Sequence, residues 1–323
     1  MVTRSDDGLV RVRYIFKDNG RGPEIEEQFR VAPDGTFSEY HSKGTTTFGS
    51  VIDERFTRKG DRAEWRSTSE TGSRTVSGPA QYVPINGSFE PASLSIAALT
   101  ARPDGKLPLL PSGTLTQRTI DTATVTRAGE SRKLQLIAQT GLGLSPSFYW
   151  ATTETRPRLF AFVDPGYLGA IEEGWQENLK ELEARQKTAE GKLLKEMAAK
   201  LRHPLDGLTV IRNARIFDSE KATLGQPSDV YVLRGRISGI LPAGSSIEGV
   251  KNEIDAGGRV LLPGLFDMHG HVTYWEGGLN LAAGVTTTRE MGNDNATVQR
   301  IIDETAAGNL LGPRIVPAGF LEG

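Results

Sequence analysis

Two histidines, at positions 269 and 271, form the most suggestive chemical pattern in this sequence. They end the apolar stretch LLPGLFDMHGH (261–271), although the 323 residues contain only four histidines. Residues i and i+2 of a strand point to the same side, so a strand here would place Asp267, His269 and His271 on one face at its carboxyl end. Two imidazoles on one face can bind one divalent ion, so we predict metal ligation by His269 and His271. The alternative is two unrelated surface histidines.

Other candidate residues carry a weaker signal. Arg289 and Glu290 end the next predicted strand, where they would be pocket residues near a metal or, as the commoner case, an ion pair at the rim. His41 and His203 are isolated in a hairpin and at a helix end. We expect both to be plain surface residues.

The residues after the histidine pair alternate between strand and helix patterns. The strand patterns are VTTTREMG (285–292) and PRIVPAGF (313–320), and the helix patterns are LNLAAG (279–284) and ATVQRIIDETAAG (296–308). This order is typical of a parallel α/β unit. Active sites of α/β barrels assemble at the carboxyl ends of such strands, which is where the two histidines are predicted to lie.

The patterns upstream divide the chain into further parts. Residues 1–165 show short alternating runs separated by turn residues, which predicts an antiparallel β-rich domain. Residues 166–204 are rich in Glu, Lys, Ala and Leu, which predicts a helical linker with a break at Gly191. Residues 205–262 return to short strands, and residues 263–323 hold the strand–helix alternation.

The composition excludes several classes of function. The net charge is −2, with 38 basic and 40 acidic residues, so we expect no nucleic-acid partner. No apolar run reaches the roughly 18 residues of a membrane span, and the N-terminus has no signal-peptide core. There is no cysteine. A β-rich extension without cysteine favours an exported parent protein.

The stretch PGLFDMHGH (263–271) resembles the opening of the metal enzymes of the amidohydrolase superfamily. The matching motif positions are Pro263, Gly264, Leu265, Phe266, Asp267, His269 and His271. Three upstream segments resemble the lead-in strands of that family: LTVIRNARIFD (208–218), LRGRISGI (233–240) and EIDAGGRVLLPG (253–264). Two downstream segments resemble its second and third barrel strands, as found in the imidazolonepropionase-like and dipeptidase branch: AAGVTTTREMG (282–292) and LLGPRIVPAGF (310–320).

The resemblance covers about residues 207–323 and implies a fold and an activity. The fold would be a multidomain β plus α/β protein, with a small β-sandwich at 205–262 and the first strands of an incomplete (β/α)8 TIM barrel at 263–323. His269 and His271 would be metal ligands, with Asp267 supporting them on the same face. One or two divalent ions, most simply zinc, would activate water against an amide or cyclic amide C–N bond of a small molecule.

The same resemblance implies that this chain is the N-terminal part of a longer enzyme. The remaining ligands and the general base are expected downstream of Gly323, so the isolated chain is expected to be inactive. A separate barrel-completing polypeptide could also supply the missing strands, and a homo-oligomer is a further expected state. The alternative function is a non-catalytic β-rich binding module that carries a relic barrel segment.

Overall fold

The computed structural model of the protein describes residues 1–319. The chain divides into two compact units, Met1–Gly191 and a second unit that begins at Lys192. The prediction of four parts, at 1–165, 166–204, 205–262 and 263–323, is finer than this division and stays a prediction.

The first unit contains two seven-stranded sheets. The first sheet is an antiparallel meander in chain order, made of β1 (Val2–Arg4), β2 (Val10–Ile15), β3 (Glu24–Val31), β4 (Phe37–Thr45), β5 (Val51–Lys59), β6 (Arg62–Arg66) and β7 (Thr71–Thr75). The second sheet is made of β8 (Gln81–Tyr82), β9 (Lys106–Leu110), β10 (Thr114–Arg127), β11 (Glu130–Thr140), β12 (Ser147–Thr152), β13 (Leu159–Asp164) and β14 (Leu168–Ile171). Within these two sheets, β8 and β9 are the only described neighbours that pair in parallel. A helix, α1 (Glu90–Thr100), connects β8 to β9.

Alternating side chains explain why these segments form strands. In β2, Val10 and Val12 are buried while Arg11 between them is exposed. The buried side chains of the first sheet form an aromatic-rich core with Tyr82 and Leu110 of the second. Burying such side chains contributes roughly 1.5–3 kcal/mol each before the entropy of ordering the chain is counted. The core members include Phe29, Phe37, Tyr40, Phe56 and Trp65.

The predicted linker helix begins later than its sequence pattern indicates. The sequence predicts helix throughout residues 166–204. Near the start of this range, however, residues Leu168–Ile171 form strand β14, which pairs with β13. Gly166 adopts φ +86° between the paired residues Asp164 and Leu168, and this left-handed conformation makes the tight turn of a hairpin. Ile171 and Trp175 have the spacing of a helical face, but Ile171 is the last residue of β14 and Trp175 is buried after that strand.

The helix itself, α2 (Leu179–Leu201), is continuous through Gly191, where the sequence predicts a break. No atom lies within 4 Å of the place where a Cβ of Gly191 would stand. An exposed glycine in a helix costs about 1 kcal/mol relative to alanine, which a helix of this length tolerates.

The second unit contains a mixed five-stranded sheet. Its strands are β15 (Leu208–Asp218), β16 (Thr223–Leu233), β17 (Arg236–Pro242), β18 (Val250–Asp255) and β19 (Val260–Leu261). Arg234 and Gly235 both have positive φ and form the two-residue turn between β16 and β17. The β-sandwich prediction needs a second layer, and it stays a prediction.

The second unit also contains a parallel sheet of three strands. The strands are β20 (Leu265–Gly270), β21 (Val285–Glu290) and β22 (Arg314–Pro317), in that order. Helix α3 (Glu276–Ala282) connects the first two strands, and helix α4 (Asn295–Ala306) connects the last two. This confirms the predicted strand–helix alternation, while closure into a barrel stays a prediction. The predicted third strand extended to Phe320, which lies outside the described residues.

The parallel sheet and its helices enclose their own small core. Val272, Ile301 and Leu310 are buried together with Leu194 near the end of α2. None of the helices within residues 1–319 combines the length and apolar character that crossing a bilayer requires.

Candidate metal centre

The two motif histidines lie side by side at the carboxyl end of β20. Their ring centroids are 5.5 Å apart, and the ring planes meet at 71°. Both residues are exposed. The strand ends at Gly270, so His271 lies one residue beyond it. This differs from the prediction, in which His271 belongs to the same strand as Asp267 and His269. A register shift between Asp267 and Gly270 interrupts the pairing with β21 before His271 is reached.

The glycine between the histidines has a steric role. Gly270 is buried, and a Cβ at this position would collide with the side chain of Thr288 on β21. Thr288 is itself fully buried. The first two parallel strands therefore approach closely here, and the two flanking histidines remain at the surface.

The ring orientation of His271 is fixed by a carbonyl group. Nδ1 of His271 lies 2.9 Å from the carbonyl oxygen of Gly292. A carbonyl oxygen can only accept a hydrogen bond, so Nδ1 carries a proton, and in the neutral imidazole Nε2 then keeps its lone pair. A histidine that binds a metal through one nitrogen commonly donates the other N–H in this way.

Glu290 holds the loop that supplies this carbonyl group. Its side chain is fully buried, with Oε1 3.4 Å from Nδ1 of His271. Oε2 accepts a hydrogen bond from the amide of Val272 at 2.5 Å, and Oε1 accepts one from the amide of Gly292 at 2.8 Å. Burial alone would raise the pKa of the Glu290 carboxyl, but these amides, Asn293 and the nearby imidazole outweigh it, so the pKa lies below its ordinary value.

Asp267 contacts the backbone of the histidine pair, whereas Arg289 lies on the opposite side of its strand from Glu290. Asp267 is half-buried, and its Oδ1 accepts a hydrogen bond from the backbone amide of His269 at 3.0 Å. Arg289 is exposed while its neighbour Glu290 is buried, because adjacent residues of a strand face opposite sides. Among the described residues, Glu290 therefore approaches the ring of His271 and forms no ion pair with Arg289.

Two residues that the sequence did not single out complete the local frame. The side-chain amide of Asn293 donates a hydrogen bond to the carbonyl oxygen of Val272 at 2.8 Å. Asp294 caps α4 by accepting a hydrogen bond from the amide of Thr297 at 2.8 Å. Nothing was predicted for this loop from the sequence, although the consecutive residues Gly292, Asn293 and Asp294 are of types that favour turns.

The pair supplies at most part of a metal centre. Within residues 1–319, no three side chains of His, Asp or Glu come together as a metal-binding group. Both oxygens of Glu290 already accept backbone hydrogen bonds. The free Nε2 of His271 and the adjacent ring of His269 are therefore the groups that suit a divalent ion.

Buried carboxylates also occur in the first unit, and they have a structural role. Glu54 accepts hydrogen bonds from the Tyr82 hydroxyl at 2.6 Å and from the amide of Ile85 at 3.0 Å. Glu27 accepts hydrogen bonds from the Tyr40 hydroxyl at 2.8 Å and from the amide of Ser88 at 2.8 Å. Both carboxylates fix the segment that leads into α1, and the sequence did not predict this.

Comparison with known proteins finds partial matches. No family model matches the sequence. An allantoinase from Streptomyces avermitilis is 33% identical over 119 residues, which is 34% of this chain and 25% of the allantoinase. A dihydroorotase from Solibacter usitatus is 39% identical over 64 residues, which is 20% of this chain and 14% of the dihydroorotase.

Solved structures give matches of similar extent. A Xaa-Pro dipeptidase with bound methionine in its active site is 23% identical, with a TM-score of 0.31, and the match covers 35% of this chain and 33% of the dipeptidase. The chain spans a quarter or less of the curated relatives that it matches. The two sequence matches, each over part of the chain, support the relationship to the amidohydrolase superfamily that the sequence predicts.

Proposed function

We propose that this chain carries the first part of the metal centre of a hydrolase that acts on C–N bonds of small molecules, in amides or cyclic amides other than ordinary peptide bonds. The observation that carries the proposal is the paired arrangement of His269 and His271 at the end of the first parallel strand. Their ring centroids are 5.5 Å apart, and Nδ1 of His271 is engaged by a carbonyl group.

The donor chemistry fits a divalent ion of the zinc type. Imidazole nitrogens are common zinc ligands, and the tautomer of His271 leaves Nε2 available. A divalent ion bound here would supply Lewis acidity and would activate a water molecule for attack on a carbonyl group. His269 and His271 would hold the ion, while Gly292 and Glu290 would keep the His271 ring in place.

The remaining functional groups would come from other polypeptide segments. Two imidazoles do not complete a catalytic zinc site, which usually has three protein ligands. We propose that later strands of a (β/α)8 barrel supply further ligands and the general base, from the same polypeptide or from a barrel-completing partner. By this proposal residues 263–323 begin the barrel, and residues 205–262 belong to the small β-sandwich.

The names of the matched proteins support the choice of reaction. Allantoinase and dihydroorotase are among the proteins to which the chain is similar in sequence. We propose for this chain only the hydrolysis of a C–N bond. None of the substrates of the relatives is proposed as its substrate.

The experiment that tests this proposal uses the full product of the gene. Metal content and hydrolysis of a panel of cyclic and linear amides would be measured for the wild type, His271→Ala and His203→Ala. We expect bound zinc and hydrolysis in the wild type and in His203→Ala, and loss of both in His271→Ala. A metal-free protein whose function survives His269→Ala would instead favour the non-catalytic binding module.

A further inference from the structure

Two arginines face each other on the outer side of the first sheet. Arg55 of β5 and Arg66 of β6 are direct partners in the antiparallel register. The same row continues to His41 on β4 and to Thr71 on β7. Like charges directly opposite each other on neighbouring strands destabilise a sheet. Packing of the sheet gives no reason for this pair, because both side chains are exposed on the outer side.

A single carboxylate partly balances this row. Asp53 lies 3.6 Å from Nε of Arg55, 3.6 Å from Nη2 of Arg66 and 3.5 Å from Nε2 of His41. These distances exceed the roughly 2.8 Å of a charge-assisted hydrogen bond. Within the described part of the chain, neither guanidinium has another carboxylate in ion-pair range. Much of the donor capacity of both arginines is therefore unused.

Two buried polar atoms beside the arginines face each other. Nε2 of His41 and Oδ1 of Asp53 are shielded from solvent and lie 3.5 Å apart, and neither makes a well-formed hydrogen bond with another group among residues 1–319. Burial, and then the positive charge of Arg55, lower the pKa of His41. The surroundings of the row are thus electropositive and incompletely hydrogen-bonded.

A cleft of about 470 Å³ lies over the same strands. This volume falls within the roughly 300–1,000 Å³ of small-molecule sites. The cleft is open to solvent on its outer side, where hydroxyl groups accompany the guanidinium groups. Its lining includes Arg55, Arg66, Thr57, Thr71 and Ser73, together with Arg62 and Glu64, which form an ion pair with each other at 2.6 Å.

We propose that Arg55 and Arg66 bind the oxyanion group of a small organic acid or phosphate ester in this cleft. Each guanidinium presents a planar fork that matches two oxygens of a carboxylate or phosphate. The Thr71 hydroxyl adds a donor at the end of the row. Binding would also neutralise the repulsion between the arginines, so the anion would stabilise the first unit. This site is separate from the proposed metal centre and does not depend on it.

The test compares thermal unfolding of the whole chain in chloride, phosphate and citrate at constant ionic strength. We expect the Tm of the wild type to rise by a few degrees in phosphate or citrate. Arg66→Gln and Arg55→Gln should each unfold at a higher temperature than the wild type in chloride, because the repulsion is removed, and should lose the anion-dependent rise. The anion with the larger effect identifies phosphate or carboxylate as the natural group.

The matched control is Arg13→Gln on β2 of the same sheet. Arg13 is exposed and faces Glu26 in the register, rather than another arginine. It should keep the anion-dependent rise in Tm. Equal rises in the wild type and in Arg66→Gln, or no rise in the wild type, would overturn the proposal. Calorimetric titration with inorganic phosphate provides a second readout, in which both arginine variants should bind at least about tenfold more weakly.

Discussion

The buried carboxylate of Glu290 lies 3.4 Å from Nδ1 of His271. A residue at the end of β21 therefore supports the histidine that follows β20. Glu290 also accepts the amide hydrogens of Val272 and Gly292. One side chain thereby fixes the residue after His271 and the loop whose carbonyl group orients its ring. The proposed metal ligand is held in place before any ion binds.

Removing this carboxylate should destabilise the second unit. Glu290→Ala leaves the buried amide of Val272 and the half-buried amide of Gly292 without their acceptor, which we expect to lower the free energy of unfolding by about 2–4 kcal/mol. Urea unfolding together with hydrogen exchange of the Val272 and Gly292 amides measures the loss. Arg289→Ala is the control on the same strand, because its exposed side chain should contribute no more than about 0.5 kcal/mol. Similar losses in both variants would show that Glu290 does not hold the loop.

The same carboxylate should give the second unit a defined pH dependence. The pKa of Glu290 lies below its ordinary value of 4.5 in the folded protein, so its contribution to stability is complete above that pH. The contribution is lost as the pH falls through the folded pKa. An NMR titration of the side-chain carboxyl carbon should give a midpoint below 4.5. A midpoint above this value would mean that burial outweighs the hydrogen bonds.

A second buried carboxylate stabilises the five-stranded sheet. Asp229 is buried, and it accepts hydrogen bonds from Arg212 at 2.9 Å and from the amide of Asn213 at 2.9 Å. Asp229→Ala should cost about 3–5 kcal/mol, because Arg212 would lose its buried partner. Glu253 contacts the same arginine at 2.8 Å but is exposed, so Glu253→Gln should cost less than about 1 kcal/mol. Denaturant unfolding of both variants provides the comparison, and a cost for Glu253→Gln as large as that for Asp229→Ala would contradict it.

Two adjacent glycines of α3 should respond in opposite ways to alanine. A Cβ at Gly277 would collide with the carbonyl oxygen of Leu311, whereas a Cβ at Gly278 would meet only ordinary contacts at 3.8 Å or more. Gly277→Ala should destabilise the unit by about 1–3 kcal/mol through overpacking. Gly278→Ala should be neutral or stabilising by up to about 1 kcal/mol, because alanine favours the helix. Thermal unfolding that ranks the two variants in the reverse order would contradict this packing.

Local patterns in the sequence predicted most elements of the second unit. The predicted strand LTVIRNARIFD coincides with β15, and the amphipathic helix pattern coincides closely with α4, in which Val298 and Ile301 are buried. Such features depend on periodicity and on turn residues within a few positions. The hairpin at Gly166 was missed because its strand is defined by pairing with β13, which the local pattern does not contain.

The candidate site was only partly predictable for the same reason. The types and spacing of His269 and His271 pointed to the pair directly. The contacts of His271 with Gly292 and Glu290 join residues about 20 positions apart, and they depend on the parallel register of β20 and β21. Burial of Glu290 beside an exposed Arg289 follows from which face of β21 packs inward, and the sequence left that choice open.

The central claim is that His269 and His271 together bind a divalent ion. Calorimetric titration of the chain with zinc tests it most directly, with His269→Ala, His271→Ala and His203→Ala as variants. We predict one weak site in the wild type, since two ligands bind zinc less tightly than a complete set. Binding should be lost in both His269→Ala and His271→Ala and unchanged in His203→Ala. Equal binding by all four proteins, or no binding by the wild type, would contradict the proposed metal centre.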